Sequence, residues 1–215
     1  MSLALPAMTW EPWSRVAFAD VATQVGRRAG TGRALVCVDG SSGSGKSTFA
    51  CGLVSVVPGA GLVHTDDIAW HLHPTDWGAA MLDGVVRPWL AGGAADYRPP
   101  GWVARGRAGS VRTDATTVLV VEGVGAARHE LAALACLVVW VDCDPALARE
   151  RCLVRDIGVD GDTRDDVAAF HAGWMAAEVP FHLAERPWER ADLIVDGSSR
   201  LGDAAVRAVW QPGRR

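Results

Sequence analysis

The sequence contains no asparagine, and it contains a single lysine, Lys46, among 215 residues. A GTPase reads its guanine base with an N-K-x-D motif, which a chain without asparagine cannot form. The L-S-G-G-Q signature of ABC-type ATPases is absent as well. Two large classes of nucleotide-binding protein are therefore excluded.

Cysteines and long apolar segments are also scarce. The five cysteines are an odd number without C-x-x-C spacing, which argues against a disulfide framework or a zinc site. No apolar segment approaches the roughly 18 residues that a transmembrane helix needs. The start of the chain lacks the charged region of a signal peptide. We therefore expect a soluble cytoplasmic protein whose thiols are reduced.

The charge balance limits the kind of partner. The net charge is −4 and arginines are scattered along the chain, so we expect neither nucleic acid nor a membrane surface as the main ligand. A hydrophobic content of 49% without any linker-like segment predicts a single domain over residues 1–215. The sequence leaves the oligomeric state open.

Residues 40–48 read GSSGSGKST and match the motif G-x-x-x-x-G-K-[ST] at every position. An apolar segment at 34–38 precedes the motif and a helix-compatible segment at 49–57 follows it, which is the strand–loop–helix setting that the motif requires. Backbone N–H groups of such a loop surround phosphates, while Lys46 should reach the β- and γ-phosphates and Ser47 should hold Mg²⁺. The sequence thus predicts an ATP–Mg²⁺ site. It is formed by Gly40, Ser41, Ser42, Gly43, Ser44, Gly45, Lys46, Ser47 and Thr48.

Strand-like and helix-like segments alternate along the chain. The pattern predicts strands at 33–38, 62–65, 118–121, 137–141 and 192–195. It predicts helices at 12–29, 76–91 and 127–135, another helix that begins at 145, and, after a break at 158–163, a long helical segment that ends at about 182. A weaker helix is predicted at 201–210. This alternation indicates an α/β fold with a mainly parallel sheet flanked by helices.

Acidic residues follow two of the predicted strands. Asp66 and Asp67 follow the strand at 62–65, and Glu122 follows the strand at 118–121. Because ligands bind at the carboxyl ends of parallel strands, these side chains should lie near the phosphate loop. Asp66 suits a general base and Glu122 suits a group that orients Mg²⁺, although Asp67 remains an alternative base. Alternatively, the aspartates cap the next helix or lie in a solvated turn, and Glu122 is a solvated acid at a strand end.

Three arginines, Arg149, Arg151 and Arg155, lie on the helix predicted from 145. Arg151 and Arg155 are four residues apart and share one helical face, from which they could stabilise phosphate charge. Alternatively, they belong to an exposed face and pair with Glu150 and Asp156.

Residues 92–112 are rich in Gly, Pro and Arg, so we expect neither a central strand nor a helix there. The segment is either an excursion over a pocket or a plain surface loop. Trp70 and Trp102 could stack on a base or an acceptor ring, although a tryptophan is more often a packing residue.

The order of these motifs resembles the uridine kinase-like branch of P-loop small-molecule kinases. The resemblance covers residues 33–197 and is carried by the phosphate loop, Asp66-Asp67, Glu122-Gly123, the R-x-x-x-R-D segment at 151–156 and the A-D-L-I-V-x-G segment at 191–197. It implies a three-layer P-loop NTPase fold with a mainly parallel, five-stranded sheet.

The same resemblance implies roles for individual residues. Asp66 would be the catalytic base, and Lys46 and Ser47 would bind ATP–Mg²⁺. Arg151 and Arg155 would belong to a short lid at 149–164.

The resemblance also implies an acceptor site. An insertion at 92–112 would cover the acceptor and would contain Tyr97 and Trp102, while Trp70 stands one position later than the aromatic pair of the D-x-F-Y motif that such kinases carry. The implied reaction is transfer of the γ-phosphoryl group of ATP to a hydroxyl of a small molecule, with a nucleoside as the first candidate. The alternatives are a kinase of another small hydroxylated metabolite and an ATP-binding regulatory protein that hydrolyses ATP slowly.

Overall fold

The computed structural model of the chain describes residues 4–114, 116–157, 163–199 and 204–211. The strands are β1 Ser14–Ala17, β2 Ala34–Gly40, β3 Ala60–His64, β4 Asp96–Tyr97, β5 Val111–Arg112, β6 Val118–Glu122, β7 Leu137–Asp142, β8 Leu193–Asp196 and β9 Ala205–Trp210. The helices are α1 Phe18–Ala29, α2 Lys46–Val56, α3 Thr65–Ala69, α4 Gly78–Met81, α5 Arg87–Leu90, α6 Pro100–Ala104, α7 His129–Ala132, α8 Pro145–Asp156 and α9 Arg164–Glu185. A π-helical turn, Leu82–Val86, joins α4 to α5, and a 3₁₀ turn, Pro187–Glu189, follows α9.

Seven strands form one sheet in the order β1-β9-β8-β7-β2-β6-β3. The strands from β8 to β3 all run parallel. β9 is antiparallel to β8, and β1 is antiparallel to β9. The predicted strands are confirmed as the parallel part of the sheet, whereas the expected total of five strands is wrong because β1 and β9 extend one edge.

The two additional strands come from segments that the sequence predicts as helices. The helix predicted at 12–29 begins only at Phe18, because β1 pairs with β9 from Ser14 opposite Ala208 to Ala17 opposite Ala205. The weak helix predicted at 201–210 is a strand from Ala205 onward, and 201–203 lie outside the described residues. In short apolar segments, the spacing of the hydrophobic residues does not distinguish a strand from a helix. Each segment becomes a strand because the other supplies its backbone hydrogen bonds.

Helices cover both faces of the sheet because its central strands are apolar on both faces. Val36 of β2 belongs to a buried cluster with Phe18 of α1 and Phe49 of α2. The next residue, Cys37, belongs to a cluster on the opposite face that includes Trp89. The predicted three-layer α/β architecture is therefore confirmed.

Residues 92–112 form a small substructure beside the sheet. β4 and β5 pair antiparallel, with Tyr97 opposite Val111. The expectation that no helix forms here is wrong, because α6 begins at Pro100. Proline fits the first turn of a helix, where its missing N–H would have no helical partner.

The segment 149–164, which the sequence predicts as a lid, begins within α8 and ends at the first residue of α9. The Thr163 side chain caps α9 by accepting a hydrogen bond from the backbone N–H of Asp166, and residues 158–162 lie outside the described part. Within the described ranges, no helix is both long and apolar enough to span a bilayer.

Candidate active site

The phosphate loop connects β2 to α2, and two of its glycines are required by the backbone. Gly43 has a φ of +78°, and a Cβ there would lie 2.1 Å from the carbonyl oxygen of Ala148 in α8. Gly45 has a φ of +99° and is the N-cap of α2. Because the N-cap is a glycine, no capping side chain competes with a ligand for the first N–H groups of the helix. Such a loop fits a polyphosphate.

The first turn of α2 contacts the end of β6. Ser47 Oγ donates a hydrogen bond to the Glu122 carboxylate and lies 3.1 and 3.2 Å from its two oxygens. Glu122 is 4% exposed, and His64 Nδ1 lies 2.5 Å from its Oε1. The hydrogen bond to Glu122 raises the pKa of His64.

This hydroxyl and carboxylate fit Mg²⁺, which proteins commonly bind through one or two oxygen ligands together with substrate phosphates. Within the described residues, no group of three or more His, Cys, Asp or Glu side chains could hold a metal ion. The remaining ligands of a Mg²⁺ ion would therefore come from the nucleotide and from water.

Asp66 lies within electrostatic reach of Lys46 and Glu122 at the same edge of the sheet. It is in the first turn of α3. Its side chain reaches solvent, but the surrounding protein removes part of its hydration. This desolvation raises the pKa of Asp66, while the charge of Lys46 opposes the rise and that of Glu122 adds to it. A carboxyl group with a raised pKa beside a phosphate loop suits acid–base chemistry.

The neighbouring Asp67 has a different environment. Arg107 Nη2 donates to its carboxylate at 3.1 Å, and its backbone carbonyl accepts a hydrogen bond from Trp102 Nε1 at 2.7 Å. Asp67 therefore ties the 92–112 insertion to α3. The charge of the loop lysine acts on the other aspartate, Asp66.

The two lid arginines do not act on the same atoms. Arg151 Nη1 donates to the backbone carbonyl of Gly197 at 2.7 Å, next to the end of β8. Arg155 pairs with Asp156 at 2.6 Å, and its charge also acts on Asp66. Although the two arginines are predicted on one helical face, Arg151 contacts the end of β8 and Arg155 acts on Asp66.

The three aromatic residues predicted at the acceptor site differ in how far they are buried. Trp102 is 6% exposed, and the guanidinium of Arg107 lies 3.6 Å from its ring centroid and 5.0 Å from that of Trp70. Tyr97 packs on the π-helical turn, where a Cβ on Gly84 would lie 2.5 Å from the tyrosine ring. Trp70 and Tyr97 are partly exposed, whereas Trp102 is a packing residue of the insertion.

A row of three buried polar side chains next to the phosphate loop is not predicted from the sequence. Asp39, Glu178 and His182 are each 0% exposed. His182 Nε2 lies 3.4 Å from Asp39 Oδ1, and its Nδ1 lies 3.9 Å from Glu178 Oε1. Burial raises the pKa of Asp39, but hydrogen bonds and the charge of His182 outweigh it, so the net pKa is lowered. The available signals were an aspartate directly before Gly40 and a Glu–His pair four residues apart on α9.

A cavity of about 870 Å³ lies on the other side of the loop. It is lined by the N-terminal segment 4–8, the end of β7 and parts of α8 and α9, with Ser41 and Ser42. Neither Lys46 nor Asp66 lines it. β7 is adjacent to β2, whereas β3, which leads to Asp66, is three strands away from β7. The cavity is thus separate from the place where Asp66 and Lys46 lie.

Solved structures with this arrangement of strands and helices include two kinases by description. A protein from Silicibacter sp. TM1040, provisionally described as a fructose transport system kinase, aligns with a TM-score of 0.55 and 19% sequence identity over 82% of this chain and 95% of that one. A protein from Bacillus stearothermophilus, provisionally described as a uridine kinase, aligns with a TM-score of 0.54 and 18% identity over 83% of this chain and 97% of that one. The chain has the fold of these two proteins. No protein-family model and no curated protein matches it.

This fold explains why the loop, Asp66 and Glu122 lie near one another. β2, β6 and β3 are neighbours and run parallel, so their carboxyl ends lie at one edge of the sheet. His64 at the end of β3 is directly opposite Glu122 at the end of β6. The substrate itself must be inferred from the site, since 18–19% identity shows the architecture alone.

Proposed function

We propose that this protein is a kinase that transfers the γ-phosphoryl group of ATP to a hydroxyl group of a small molecule, with a nucleoside as the first candidate acceptor. The observation that carries the proposal is the position of Asp66, in the first turn of α3 directly after β3, where the charge of Lys46 acts on it. A protein that only binds ATP needs the phosphate loop. A kinase also needs a base beside it to accept the proton of the acceptor hydroxyl.

The loop would bind the triphosphate through the backbone N–H groups that begin α2. Lys46 and Arg155 would offset the negative charge that the phosphoryl group carries during transfer. Ser47 and Glu122 would hold Mg²⁺, which when bound neutralises phosphate charge.

Asp66 in its ionised form would accept the proton of the attacking hydroxyl. The acceptor oxygen forms its bond to the γ-phosphorus while the bond between that phosphorus and the bridging oxygen of ADP breaks. A carboxylate whose pKa is raised is a stronger base than an ordinary aspartate, so the partial desolvation of Asp66 favours this step.

The acceptor side supports a ring-bearing substrate. Tyr97 belongs to the insertion and Trp70 contacts it through Arg107. Both rings are partly exposed, so they supply aromatic surface for stacking. The neighbour described as a uridine kinase supports a nucleoside, and the one described as a fructose transport system kinase supports a sugar as the second candidate. An ATP-binding regulatory protein with slow hydrolysis is the alternative from another class.

We assign the protein to the cytoplasm, where ATP and Mg²⁺ are abundant. The cysteines form no disulfide within the described residues, which fits a reducing compartment.

An acceptor screen tests the proposal. ADP release from ATP–Mg²⁺ is measured with uridine, cytidine, other nucleosides and a panel of sugars, and products are identified by mass. One acceptor should raise ADP release by at least about a hundredfold over hydrolysis alone, the size of a typical acid–base contribution, and should gain one phosphoryl group. Binding of ATP without stimulation by any acceptor would favour the regulatory alternative.

A further inference from the structure

A buried carboxylate of α9 holds the phosphate loop. Glu178 accepts hydrogen bonds from the backbone N–H of Ser42 at 3.1 Å and from Ser42 Oγ at 2.6 Å. Trp174 Nε1 donates a third hydrogen bond to it at 2.9 Å. Glu178 is 0% exposed, and it lies 136 residues away from Ser42 in the sequence.

The contacts of Glu178 suit a carboxylate specifically. All three hydrogen-bond partners are donors, and His182 Nδ1 lies 3.9 Å from Oε1. A carboxylate offers only acceptors, so each of these bonds can form without conflict. A buried carboxylate without such partners would destabilise the fold.

The chain of buried groups continues to the start of the loop. His182 Nε2 lies 3.4 Å from Asp39, whose Oδ1 accepts from the N–H of Gly40 at 2.7 Å. Asp39 also accepts from Gly125 N–H at 3.0 Å, after the end of β6. Gly40 and Ser42 are therefore both held by buried carboxylates, on the segment that leads into the N–H groups at 43–48.

We propose that Glu178 is a positioning residue for ATP binding, which fixes Ser42 so that the following N–H groups of the loop are directed at the phosphates before ATP arrives. This inference rests on the proposed function of the loop. Preorganised donors bind more tightly than donors that must first be ordered. Glu178 itself does not touch the nucleotide; it acts through Ser42.

The conservative variant Glu178→Gln separates positioning from simple space-filling. Glutamine has nearly the same shape, but it is neutral and its amide group must face either the N–H of Ser42 or Trp174 Nε1, neither of which can accept. One of these two bonds must then be lost, and the bond to the Ser42 hydroxyl loses its charged acceptor. Losing a hydrogen bond to a charged group should weaken ATP–Mg²⁺ binding by about tenfold or more.

The matched control is Glu185→Gln, the same chemical change two turns later on α9. Glu185 accepts from the N–H of His129 and does not contact the loop. Dissociation constants for ATP–Mg²⁺ are measured by calorimetry, with the thermal midpoint of each variant measured alongside. Glu185→Gln should bind ATP as the unmodified protein does.

A double-mutant cycle with Ser42→Ala distinguishes positioning from a structural role. Ser42→Ala removes the hydroxyl donor and should weaken ATP binding several-fold, and in the Glu178→Gln background its further effect should be much smaller. A merely structural role of Glu178 would lower the thermal midpoint while leaving the dissociation constant unchanged.

Two results would overturn the inference. A folded Glu178→Gln protein with ATP affinity within twofold of the original would do so, as would strictly additive effects of the two substitutions. If Glu178→Gln does not fold, Ser42→Ala alone decides, since unchanged affinity there contradicts the inference. If the unmodified protein does not bind ATP, the proposed function itself fails. That outcome differs from the two results above, in which the unmodified protein binds ATP and only the role of Glu178 is contradicted.

Discussion

At the scale of single residues, the site is decided by which side chains already have partners. Asp66 and Asp67 are adjacent and chemically identical, yet Asp67 is engaged by Arg107 and Asp66 faces the charge of Lys46. The candidate base is therefore the aspartate without the ion pair to the insertion. The arginines also differ, since Arg151 donates to a backbone carbonyl, whereas Arg155 pairs with Asp156 and its charge also acts on Asp66.

Asp66→Asn should lower the rate of phosphoryl transfer by about two orders of magnitude or more, because an amide cannot accept the hydroxyl proton. ATP–Mg²⁺ affinity should change by no more than a few-fold, since Asp66 is not part of the loop. Steady-state kinetics with the identified acceptor and calorimetry with ATP measure the two quantities. Asp67→Asn is the matched control and should retain most of the activity. Unchanged turnover of Asp66→Asn would remove this residue from the role of base.

The same variant has a consequence for pH dependence. The pKa of Asp66 is raised above its ordinary value of 3.8, chiefly by burial, and only the ionised form is a base. The value of kcat/KM should therefore fall as the pH drops through this raised pKa, so that the acid limb is centred above 3.8. The residual activity of Asp66→Asn should lack this limb.

At the scale of elements, the phosphate loop is shaped by helices that are distant in sequence. α8 packs directly on Gly43, and α9 holds Ser42 through Glu178. The insertion is attached to α3 through Trp102 and Asp67. The loop motif is local, but its geometry depends on these contacts.

Gly43→Ala should weaken ATP binding, because the added Cβ would lie 2.1 Å from the Ala148 carbonyl and α8 would have to move. Loop displacements of this kind can cost up to about a hundredfold in function. Gly92→Ala is the matched control, since Gly92 has a φ of +95° and open space around its Cβ position. Both variants should lose about 1–2 kcal/mol from the positive φ, and only Gly43→Ala should lose ATP affinity as well. Equal ATP affinity of both variants would show that the packing of α8 does not shape the loop.

At the scale of the whole molecule, the sheet has one part that carries the candidate site and an extension that lies away from it. β1 and β9 lie on the edge opposite β3 and are separated from β2 by β8 and β7. They cover apolar surface, with Val16 5% and Val206 2% exposed. Their role is therefore stability.

Val206→Asp should lower the free energy of unfolding by about 3 kcal/mol, because it buries an unpaired carboxylate. Urea unfolding measures this loss, and ATP affinity of the folded protein should be unchanged. Val103→Asp is the control, since Val103 is 58% exposed and the expected change is within about 0.5 kcal/mol. A loss of ATP affinity in Val206→Asp would show that the extension and the loop are coupled.

The sequence by itself determined the phosphate loop, the parallel strands and the acids that follow two of them. Each of these rests on local information: eight consecutive residues match a motif at 40–47, and buried parallel strands read as continuous apolar segments. The parallel order then places Glu122 beside Ser47, as expected for strand ends at one edge of a sheet.

Only the tertiary structure decided the rest. Ser14–Ala17 and Ala205–Trp210 are strands because they pair with each other across nearly the whole chain. Glu178 contacts Ser42 only because α9 packs over the end of β2. Arg107 reaches Asp67 only because the insertion folds back on α3. In each case the deciding partner is distant in sequence, so neither a local period nor a motif records it.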